Sequence, residues 1–403
     1  MEFTSTQAQL EKNIAAALGA PGVKRSLRQW AMSPYLYGTD ISITSLLKFD
    51  FQAKWPTFKN PISTVAVLDI ETTIEESYPE CMSLTFGSKC VIAIHKDFIK
   101  GIAEPEAKLR QCFQAQLGAV IESRKINLEV VFVDTITEMC IEVFKRAHAW
   151  KPDFITIWNM AFDLPTLEKW VVKEGGSWVD IVSDPSVPRH LRHYYFKMGP
   201  ETKLSTSGKE EKLSPAARWH VVTCTASFQF VDSMLVYYRF RMADGTLPGG
   251  YNLDNVLKTH GLGGKLKFDV KADSSLQWHR IMQADYPIEY LVYNLWDCIS
   301  VELLDEKTLD LRMTIEAQCG YSDYGRLKTN PGKIADDLHF YALENKKVIA
   351  TFPGSKEDEN NTLVVESSNW IVTLPSHLMT PIGLHALEEI PTLATEVCKH
   401  VAD

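Results

Sequence analysis

Two acidic side chains, Asp69 and Glu71, lie two residues apart in the run Val65–Thr72, which is otherwise apolar and rich in β-branched residues. Such a run predicts a strand that is buried on both faces, and residues two apart on a strand point to the same face. Two carboxylates on one face of a buried strand are costly unless a cation neutralises them. The alternative is a strand end that exposes both acids to solvent. The run therefore predicts a central strand that carries either a metal site or an exposed acidic end.

Apolar runs and helical repeats alternate along much of the chain, and two of the runs are joined by a Gly-Ser turn. Runs of β-branched and apolar residues predict strands, whereas apolar residues at helical spacing predict helices. Their alternation, with a meander at the start, predicts an α/β fold in which helices flank a mixed sheet. Strands are predicted at 65–72, 82–87, 90–95, 127–133, 154–158 and 228–236. Helices are predicted at 7–18, 104–124, 135–150, 164–172, 253–260, 287–312 and 331–346, followed by a short strand or two and a last helix within 363–403.

Three segments give weaker signals. Residues 174–222 are polar and irregular, and we predict a long surface excursion there. Within them, the aromatic and basic stretch 189–197 either guides a single nucleic-acid strand, through stacking and phosphate contacts, or forms a partly buried hairpin. The glycine-rich stretch 261–265 ends in a lysine but lacks the form of a nucleotide-binding loop. It is interpreted as the end of a helix followed by a turn.

Composition sets the broad class of the protein. The chain has 403 residues, of which 45% are hydrophobic and 23% charged, and its net charge of −9 argues against wrapping duplex DNA by charge alone. Its eight cysteines include no C-x-x-C pair, which predicts reduced thiols and argues against a zinc site. No apolar stretch approaches the roughly 20 residues of a membrane helix. The N-terminus lacks the pattern of a signal peptide, so we expect a cytoplasmic protein.

Two further motifs carry acids after or within apolar segments. Asp163 follows the strand predicted at 154–158, where the alternative role for a lone Asp is to cap the next helix. Tyr293 and Asp297 are four residues apart on a predicted helix and share a face, although the alternative is a surface pair. The candidate ligands are all carboxylates, and hard oxygen ligands favour Mg²⁺ or Mn²⁺. Carboxylates in sufficient number can hold two such ions around a scissile phosphodiester.

The three motifs resemble those of the proofreading 3′→5′ exonuclease domain of family B DNA polymerases, and bacteriophage members are the most similar. The matching stretches are LDIET at 68–72, WNMAFD at 158–163 and YNLWDC at 293–298. Segments 231–235 and 251–256 are also similar to parts of that domain. The resemblance covers roughly residues 63–312.

The resemblance implies a ribonuclease H-like fold and a two-metal site of the DEDDy exonuclease class. The Mg²⁺ or Mn²⁺ ions would be bound by four carboxylates, those of Asp69, Glu71, Asp163 and Asp297. Tyr293 would orient the attacking water and would complete the catalytic set. The terminal nucleotides would contact Thr72, Asn159 and Phe162. The implied substrates are single-stranded DNA 3′ ends and primer–template DNA.

The chain departs from that family because the acidic palm motifs and the basic fingers motif are absent from its sequence. Segments 332–349 and 370–374 are similar to what joins exonuclease and palm. We therefore expect the N-terminal subunit of a split polymerase, acting in the cytoplasm (of an infected host cell, if viral), with palm and fingers on another chain. The expected organisation is an exonuclease domain at 63–312 and a smaller accessory domain built from 1–62 and 313–403.

A polymerase partner would cover apolar surface in residues 331–403. The side chains expected there are Phe340, Tyr341, Trp370, Ile371 and Leu374. Two alternatives remain open at this stage. One is a non-catalytic structural or DNA-binding subunit of a split polymerase, and the other is an RNA exonuclease of the same fold, because the choice of sugar depends on contacts at the 2′ position.

Overall fold

The computed structural model describes residues 7–19, 21, 30, 43–57, 62–205, 208–314, 338, 340–342, 345, 363–367 and 370–374. The chain divides into two compact units. One consists of residues Asn60–Ala317, and the other combines Met1–Lys59 with Gln318–Asp403. All of the predicted site residues belong to the first unit.

A six-stranded mixed sheet forms the centre of the 60–317 unit, with the strand order β10-β5-β1-β2-β3-β4. Strands β1, β2 and β3 form an antiparallel meander, whereas β5 and β10 extend the sheet in parallel beyond β1, and β4 pairs in parallel with β3. The predicted α/β fold with a mixed sheet flanked by helices is confirmed. The strands of the sheet are β1 (Val65–Thr72), β2 (Pro79–Phe86), β3 (Lys89–His95), β4 (Asn127–Val133), β5 (Phe154–Ile157) and β10 (Gln229–Asp232). The other strands are β6 (Tyr194–Lys197), β7 (Thr202–Leu204), β8 (Glu210–Lys212), β9 (Val221–Cys224), β11 (Leu363–Ser367) and β12 (Trp370–Leu374).

Helices cover both faces of the sheet. On one face, Leu68 and Ile70 of β1 pack in a cluster with residues of α4 and α5. On the other face, α3 and α10 pack over β2 and β3, and Val67 of β1 packs against residues of α10. The α-helices are α1 (Gln7–Ala17), α2 (Ile43–Lys54), α3 (Pro105–Arg124), α4 (Ile136–Trp150), α5 (Met160–Lys173), α6 (Trp178–Val182), α7 (Ser233–Arg241), α8 (Leu253–Thr259), α9 (Ser275–Asp285) and α10 (Pro287–Thr308). Short 3₁₀ turns occupy Lys96–Ile99, Arg189–Leu191, Pro215–Ala217 and Met242–Asp244, and a π-helical turn occupies Asp310–Thr314.

Local sequence explains where several helices begin. The Thr135 hydroxyl accepts from the backbone N–H of Glu138 at 3.1 Å, as in a capping box. The Glu138 carboxylate accepts from the backbone N–H of Asp134 at 3.0 Å, whereas in a capping box it would accept from the N–H of the next residue, Thr135. Pro287 occupies the first position of α10, where its missing N–H costs nothing.

The segment 174–222 is not irregular as predicted, although strands β7 and β8 within it are exposed at the surface. That segment holds α6 and two hairpins, because β6 pairs with β9 and β7 pairs with β8. Trp178 is buried in the core cluster, and the rings of Tyr194 and Phe196 pack against it. The alternation of these rings with polar residues is a strand pattern that is too short to stand out in so polar a stretch.

Two other predictions need correction. The strand predicted at 228–236 ends at Asp232, whose carboxylate accepts from the N–H groups of Met234 and Leu235 and so starts α7. Helix α9 was not predicted, although Ser274 and Gln277 have capping-box spacing. Gln277 N–H donates to the Ser274 hydroxyl at 3.2 Å.

In the second unit, the described part of the helix predicted at 331–346 is helical at 338 and 340–342. Phe340 does not contribute exposed apolar surface as predicted, because it is 1% exposed and its ring stacks on Phe49 at 5.2 Å. Tyr341 is exposed. Strands β11 and β12 form an antiparallel pair. The predicted C-terminal helix lies outside the described residues, as do the side chains of Trp370, Ile371 and Leu374. Among the described residues, no helix is long and apolar enough to cross a membrane.

Candidate metal centre

Three acidic residues from two distant parts of the sequence lie close together in the 60–317 unit. One carboxylate oxygen from each of Asp69, Glu71 and Asp297 lies within 4.8 Å of the other two. Asp297 is buried, whereas Asp69 and Glu71 are partly buried. The first and third motifs therefore form a single acidic cluster that can hold a metal ion, and the exposed strand end considered for Asp69 and Glu71 is not what the chain forms.

The geometry of β1 and α10 explains this meeting. Asp69 and Glu71 share a strand face with Val67, and Val67 packs in a cluster with Val301 of α10. Asp69 lies opposite Ser83 of β2, which fixes its register in the middle of the sheet. The register shifts between Glu71 and the next residue, so the strand is irregular directly after its second acid.

Asp163 lies in the first turn of α5 and is 4% exposed. The alternative role of helix cap is wrong, because Asn159 occupies the cap position, in a left-handed conformation with φ 75° and no side-chain cap bond. The buried carboxylate of Asp232 fixes this turn by accepting from the N–H of Met160 at 2.8 Å. Asp163 is not in the group of three, but after burial its negative charge is the next cause that raises the pKa of Asp69.

The electrostatics of the cluster favour a bound cation. Burial raises the pKa of Asp69 well above its usual range, and the charges of Asp163 and Asp297 raise it further. Burial and then Asp297 raise the pKa of Glu71 to about 7. Buried acids that raise one another's pKa retain protons unless a cation compensates their charge. Such a cluster of acids is therefore an unfavourable arrangement that a metal ion relieves.

The oxygen atoms of the cluster are also suitable ligands for a metal ion. Asp297 Oδ1 is buried and has no hydrogen-bond partner among the described residues. A buried, unpaired carboxylate oxygen is costly, and coordination to a cation is one of the few ways to satisfy it. All ligand atoms of the group are carboxylate oxygens, which suit a hard cation.

Lys265 is a site residue that the sequence analysis missed. Its Nζ donates to Tyr293 Oη at 2.7 Å and to Asp297 Oδ2 at 2.5 Å, and it lies 4.8 Å from the centroid of the Tyr293 ring. Burial alone would lower the pKa of Lys265, but the neighbouring Asp297 and Tyr293 raise it well above its usual value. Lys265 is therefore a charged ammonium group inside the acidic cluster.

The turn before Lys265 explains how it reaches the site. Helix α8 ends at Thr259, and Gly261 follows in a left-handed conformation, as the predicted helix end and turn require. Gly264 has φ +97°, and a Cβ there would lie 2.5 Å from an oxygen of Asp254. The same Asp254 oxygen accepts the backbone N–H of Lys265 at 2.9 Å. Two glycines directly before a lysine are the sequence feature that indicates such a close approach of the backbone to a side chain, here that of Asp254.

Tyr293 and Asp297 lie one turn apart on α10, as predicted. Tyr293 is 5% exposed and Asp297 is 4% exposed, so the alternative of a surface pair is wrong. Tyr293 Oη accepts from Lys265, which leaves its own proton available for a third group. Burial and then the charge of Asp297 raise the pKa of Tyr293, so its hydroxyl stays protonated at neutral pH.

The three predicted substrate contacts lie near the ends of adjacent elements. Strands β1 and β5 are parallel neighbours, so their carboxyl ends meet at the same edge of the sheet. Thr72 ends β1, and Asn159 and Phe162 follow β5; Asn159 is exposed and Phe162 is 43% exposed. Their contacts with nucleotides remain a prediction. In the stretch 189–197, Tyr195 is exposed on the outer face of the β6–β9 hairpin, and a role in guiding a nucleic-acid strand also stays a prediction.

Comparison of the sequence with protein-family models finds no match, and a search of curated proteins finds none either. The functional argument therefore depends on the residues and their geometry.

Proposed function

We propose that this chain is a metal-dependent 3′→5′ exodeoxyribonuclease that removes nucleotides from single-stranded DNA 3′ ends. The observation that carries the proposal is the meeting of Asp69, Glu71 and Asp297 in one partly buried cluster beside Tyr293. These residues come from the two outer motifs of the exonuclease-like pattern. Chance resemblance of short motifs gives no reason for their side chains to meet.

The fold and the second motif support the same proposal. The meander β1–β2–β3, with β5 and β10 added in parallel beyond β1, is consistent with a ribonuclease H-like fold. Asp163 lies in the first turn of α5, shortly after β5, and its charge contributes to the raised pKa of Asp69. It completes the set of four carboxylates that two ions need.

In this proposal, the four carboxylates bind Mg²⁺ or Mn²⁺, because hard oxygen ligands without His or Cys favour these ions. The ions would supply Lewis-acid stabilisation of the charge that develops on the attacking and leaving oxygens. Tyr293 orients the water that attacks phosphorus, and Lys265 holds the Tyr293 hydroxyl in place. The water oxygen forms a bond to phosphorus while the bond from phosphorus to the 3′ oxygen breaks. A proton passes to that oxygen, and a mononucleotide leaves.

We further propose that this activity serves proofreading during DNA synthesis, with a polymerase palm and fingers as its partner. The support is the resemblance of the three motifs to the exonuclease domain of family B polymerases.

The test is degradation of a 5′-labelled single strand by the purified chain. We expect shortening from the 3′ end in Mg²⁺ or Mn²⁺ and none in excess chelator. Asp69→Ala with Glu71→Ala should abolish it, whereas the matched surface change Glu106→Ala with Glu122→Ala on α3 should not. Activity that persists in chelator would refute the metal-dependent mechanism. Equal degradation of an RNA strand would favour an RNA exonuclease, and metal binding without degradation would favour a structural subunit.

A further inference from the structure

Two buried polar side chains of α10 face the first-motif acids. Tyr290 Oη donates to Glu71 Oε2 at 2.5 Å, and Asn294 Nδ2 donates to Asp69 Oδ2 at 2.7 Å. Tyr290 is 1% exposed and Asn294 is fully buried. They lie four residues apart and therefore share one helix face. Each of the two acids thus receives its own donor from the same helix.

The direction of the hydrogen bonds at Tyr290 is fixed by its single proton. Since that proton is donated to Glu71, Tyr290 Oη must accept from its other neighbours, His279 Nδ1 at 2.8 Å and Gln283 Nε2 at 3.3 Å. His279 must then carry a proton on Nδ1. Burial, and then the positive charge of Lys265, lower the pKa of His279, which is consistent with a neutral ring. A chain of donors therefore runs from α9 through Tyr290 to Glu71.

Ring packing holds the Tyr290 hydroxyl in place. The rings of Tyr290 and Tyr293 stack at 5.9 Å with an interplanar angle of 3°. The His279 ring meets Tyr290 edge-on at 5.8 Å, and Trp278 lies 5.3 Å from Tyr293. Gln283 also donates to the carbonyl of Thr72 at 2.8 Å, which ties α9 to the end of β1. Helix α9 therefore encloses both tyrosines and limits their rotation.

The orientation of the Asn294 amide also follows from its hydrogen-bond donors and acceptors. Its Oδ1 is buried without a hydrogen-bond partner among the described residues. Turning the amide over would place that oxygen against the Asp69 carboxylate, where two acceptors repel. The amide nitrogen must therefore face Asp69, and its hydrogen bond holds Oδ2 of that carboxylate.

We infer that Tyr290 and Asn294 are positioning residues, each of which holds one oxygen of a first-motif carboxylate so that the other oxygen is directed to the metal ion. This inference rests on the proposed metal site and deepens it. Ligating carboxylates are commonly held by such outer hydrogen bonds, and losing one typically costs about 10–100-fold in metal affinity or activity. Neither residue touches the substrate in this role, because each acts through the carboxylate that it holds.

The test compares Tyr290→Phe with a matched control, Tyr237→Phe. Tyr237 is 3% exposed and its hydroxyl contacts His260 Nε2 at 2.9 Å, so the control also removes a partly buried Tyr–His hydrogen bond from the same unit. Mn²⁺ binding is measured by calorimetry and by electron paramagnetic resonance, without substrate. We expect Tyr290→Phe to bind Mn²⁺ about 10–100-fold more weakly and Tyr237→Phe to bind it like the wild type. Kinetics should then give a lower kcat for Tyr290→Phe, with KM for DNA unchanged and kcat recovering as Mn²⁺ is raised.

The outcomes separate the inference from the proposed function. If the wild type binds Mn²⁺ and Tyr290→Phe binds it equally tightly, the positioning role is wrong although the metal site is correct. A wild-type protein that binds no Mn²⁺ would overturn the metal site and this inference with it. If Tyr290→Phe does not fold, Asn294→Leu applies the same test to Asp69. Unchanged Mn²⁺ binding by that variant would equally overturn the inference.

Discussion

Replacing Lys265 with methionine removes a positive charge from the acidic cluster and retains most of the side-chain volume. Lys265 Nζ lies 2.5 Å from Asp297 Oδ2, and the two side chains are 31% and 5% exposed. Breaking a fully buried ion pair typically costs about 3–5 kcal/mol, whereas exposed pairs contribute about 0–1 kcal/mol. Because the lysine is about a third exposed and the aspartate is buried, we expect Lys265→Met to destabilise the metal-free protein by about 1–3 kcal/mol, a value intermediate between those two cases.

A metal ion should reverse part of that loss. Lys265 and a bound cation both interact with Asp297, so removing the lysine leaves a carboxylate that binds the cation more readily. Ligand binding stabilises a fold by RT ln(1 + [L]/Kd), and each tenfold gain in affinity therefore adds about 1.4 kcal/mol at saturating ligand. Mg²⁺ should consequently stabilise Lys265→Met more than it stabilises the wild type.

Urea unfolding of both proteins, with and without Mg²⁺, measures these quantities. The control is Lys96→Met, because Lys96 Nζ also lies 2.5 Å from an aspartate oxygen, that of Asp134, but both side chains are more than half exposed. The control should lose less than about 1 kcal/mol and should respond to Mg²⁺ like the wild type. If Lys265→Met and Lys96→Met gain the same stability from Mg²⁺ as the wild type, the assignment of Lys265 to the metal site is wrong.

Four further results are expected. Asp69→Ala with Glu71→Ala should lower turnover by several orders of magnitude while the protein still folds, since removing clustered acids relieves repulsion; wild-type turnover in this variant would contradict the site. Tyr293→Phe should slow hydrolysis about ten- to thousand-fold with little change in Mg²⁺ affinity, and a loss of binding equal to that of Asp297→Ala would make Tyr293 structural. Because the folded-state pKa of Glu71 is raised to about 7 from an ordinary 4.5, this carboxyl stabilises the metal-free fold most when protonated, and that contribution falls as pH rises from 4.5 to about 7. The rise in Tm caused by Mg²⁺ should therefore grow over the same pH window, and a constant rise would count against binding at Glu71. Finally, co-expression with a candidate palm-and-fingers chain should give a stable complex on size exclusion, with an interface above about 1,000 Å², whereas a chain that stays monomeric beside every candidate would favour a free-standing exonuclease.

The sequence predicts those parts of the fold whose pattern is long and local. The bounds of β1 and β4 match their apolar runs, and α4 begins one residue after its predicted start and ends where predicted. The sequence also predicts the faces on which the acids of β1 and α10 lie, because strand and helix periodicity determines the direction of each side chain. Periodicity therefore pairs Asp69 with Glu71 and Tyr293 with Asp297, whereas their meeting in one site was predicted only from the resemblance to the exonuclease motifs of family B polymerases.

Residues whose role depends on tertiary contacts could not be predicted in this way. Lys265 lies in an irregular turn, where no periodicity indicates the direction of a side chain, and only the packing of α8 against α10 brings it to Asp297. Tyr290 lies three residues before the third motif and Asn294 lies within it, and no local pattern indicates that either side chain contacts the acids of β1. The polar content of 174–222 concealed α6 and its hairpins, since their apolar residues make too short a pattern to indicate a buried strand.

The arrangement of α10 links folding of the site to metal binding. One face of the helix carries Tyr290 and Asn294, which hold the acids of β1, and an adjacent face carries Tyr293 and Asp297, which meet Lys265. The donors are therefore in place before an ion arrives, but the acids that they hold raise one another's pKa and oppose folding. When several ligands must be ionised at the same time, a cation that binds only the folded state gives the largest increase in stability. A chain built in this way should be least stable without metal at neutral and higher pH, where its clustered carboxyls must ionise with only the charge of Lys265 to compensate them. Its Tm should then report metal occupancy directly.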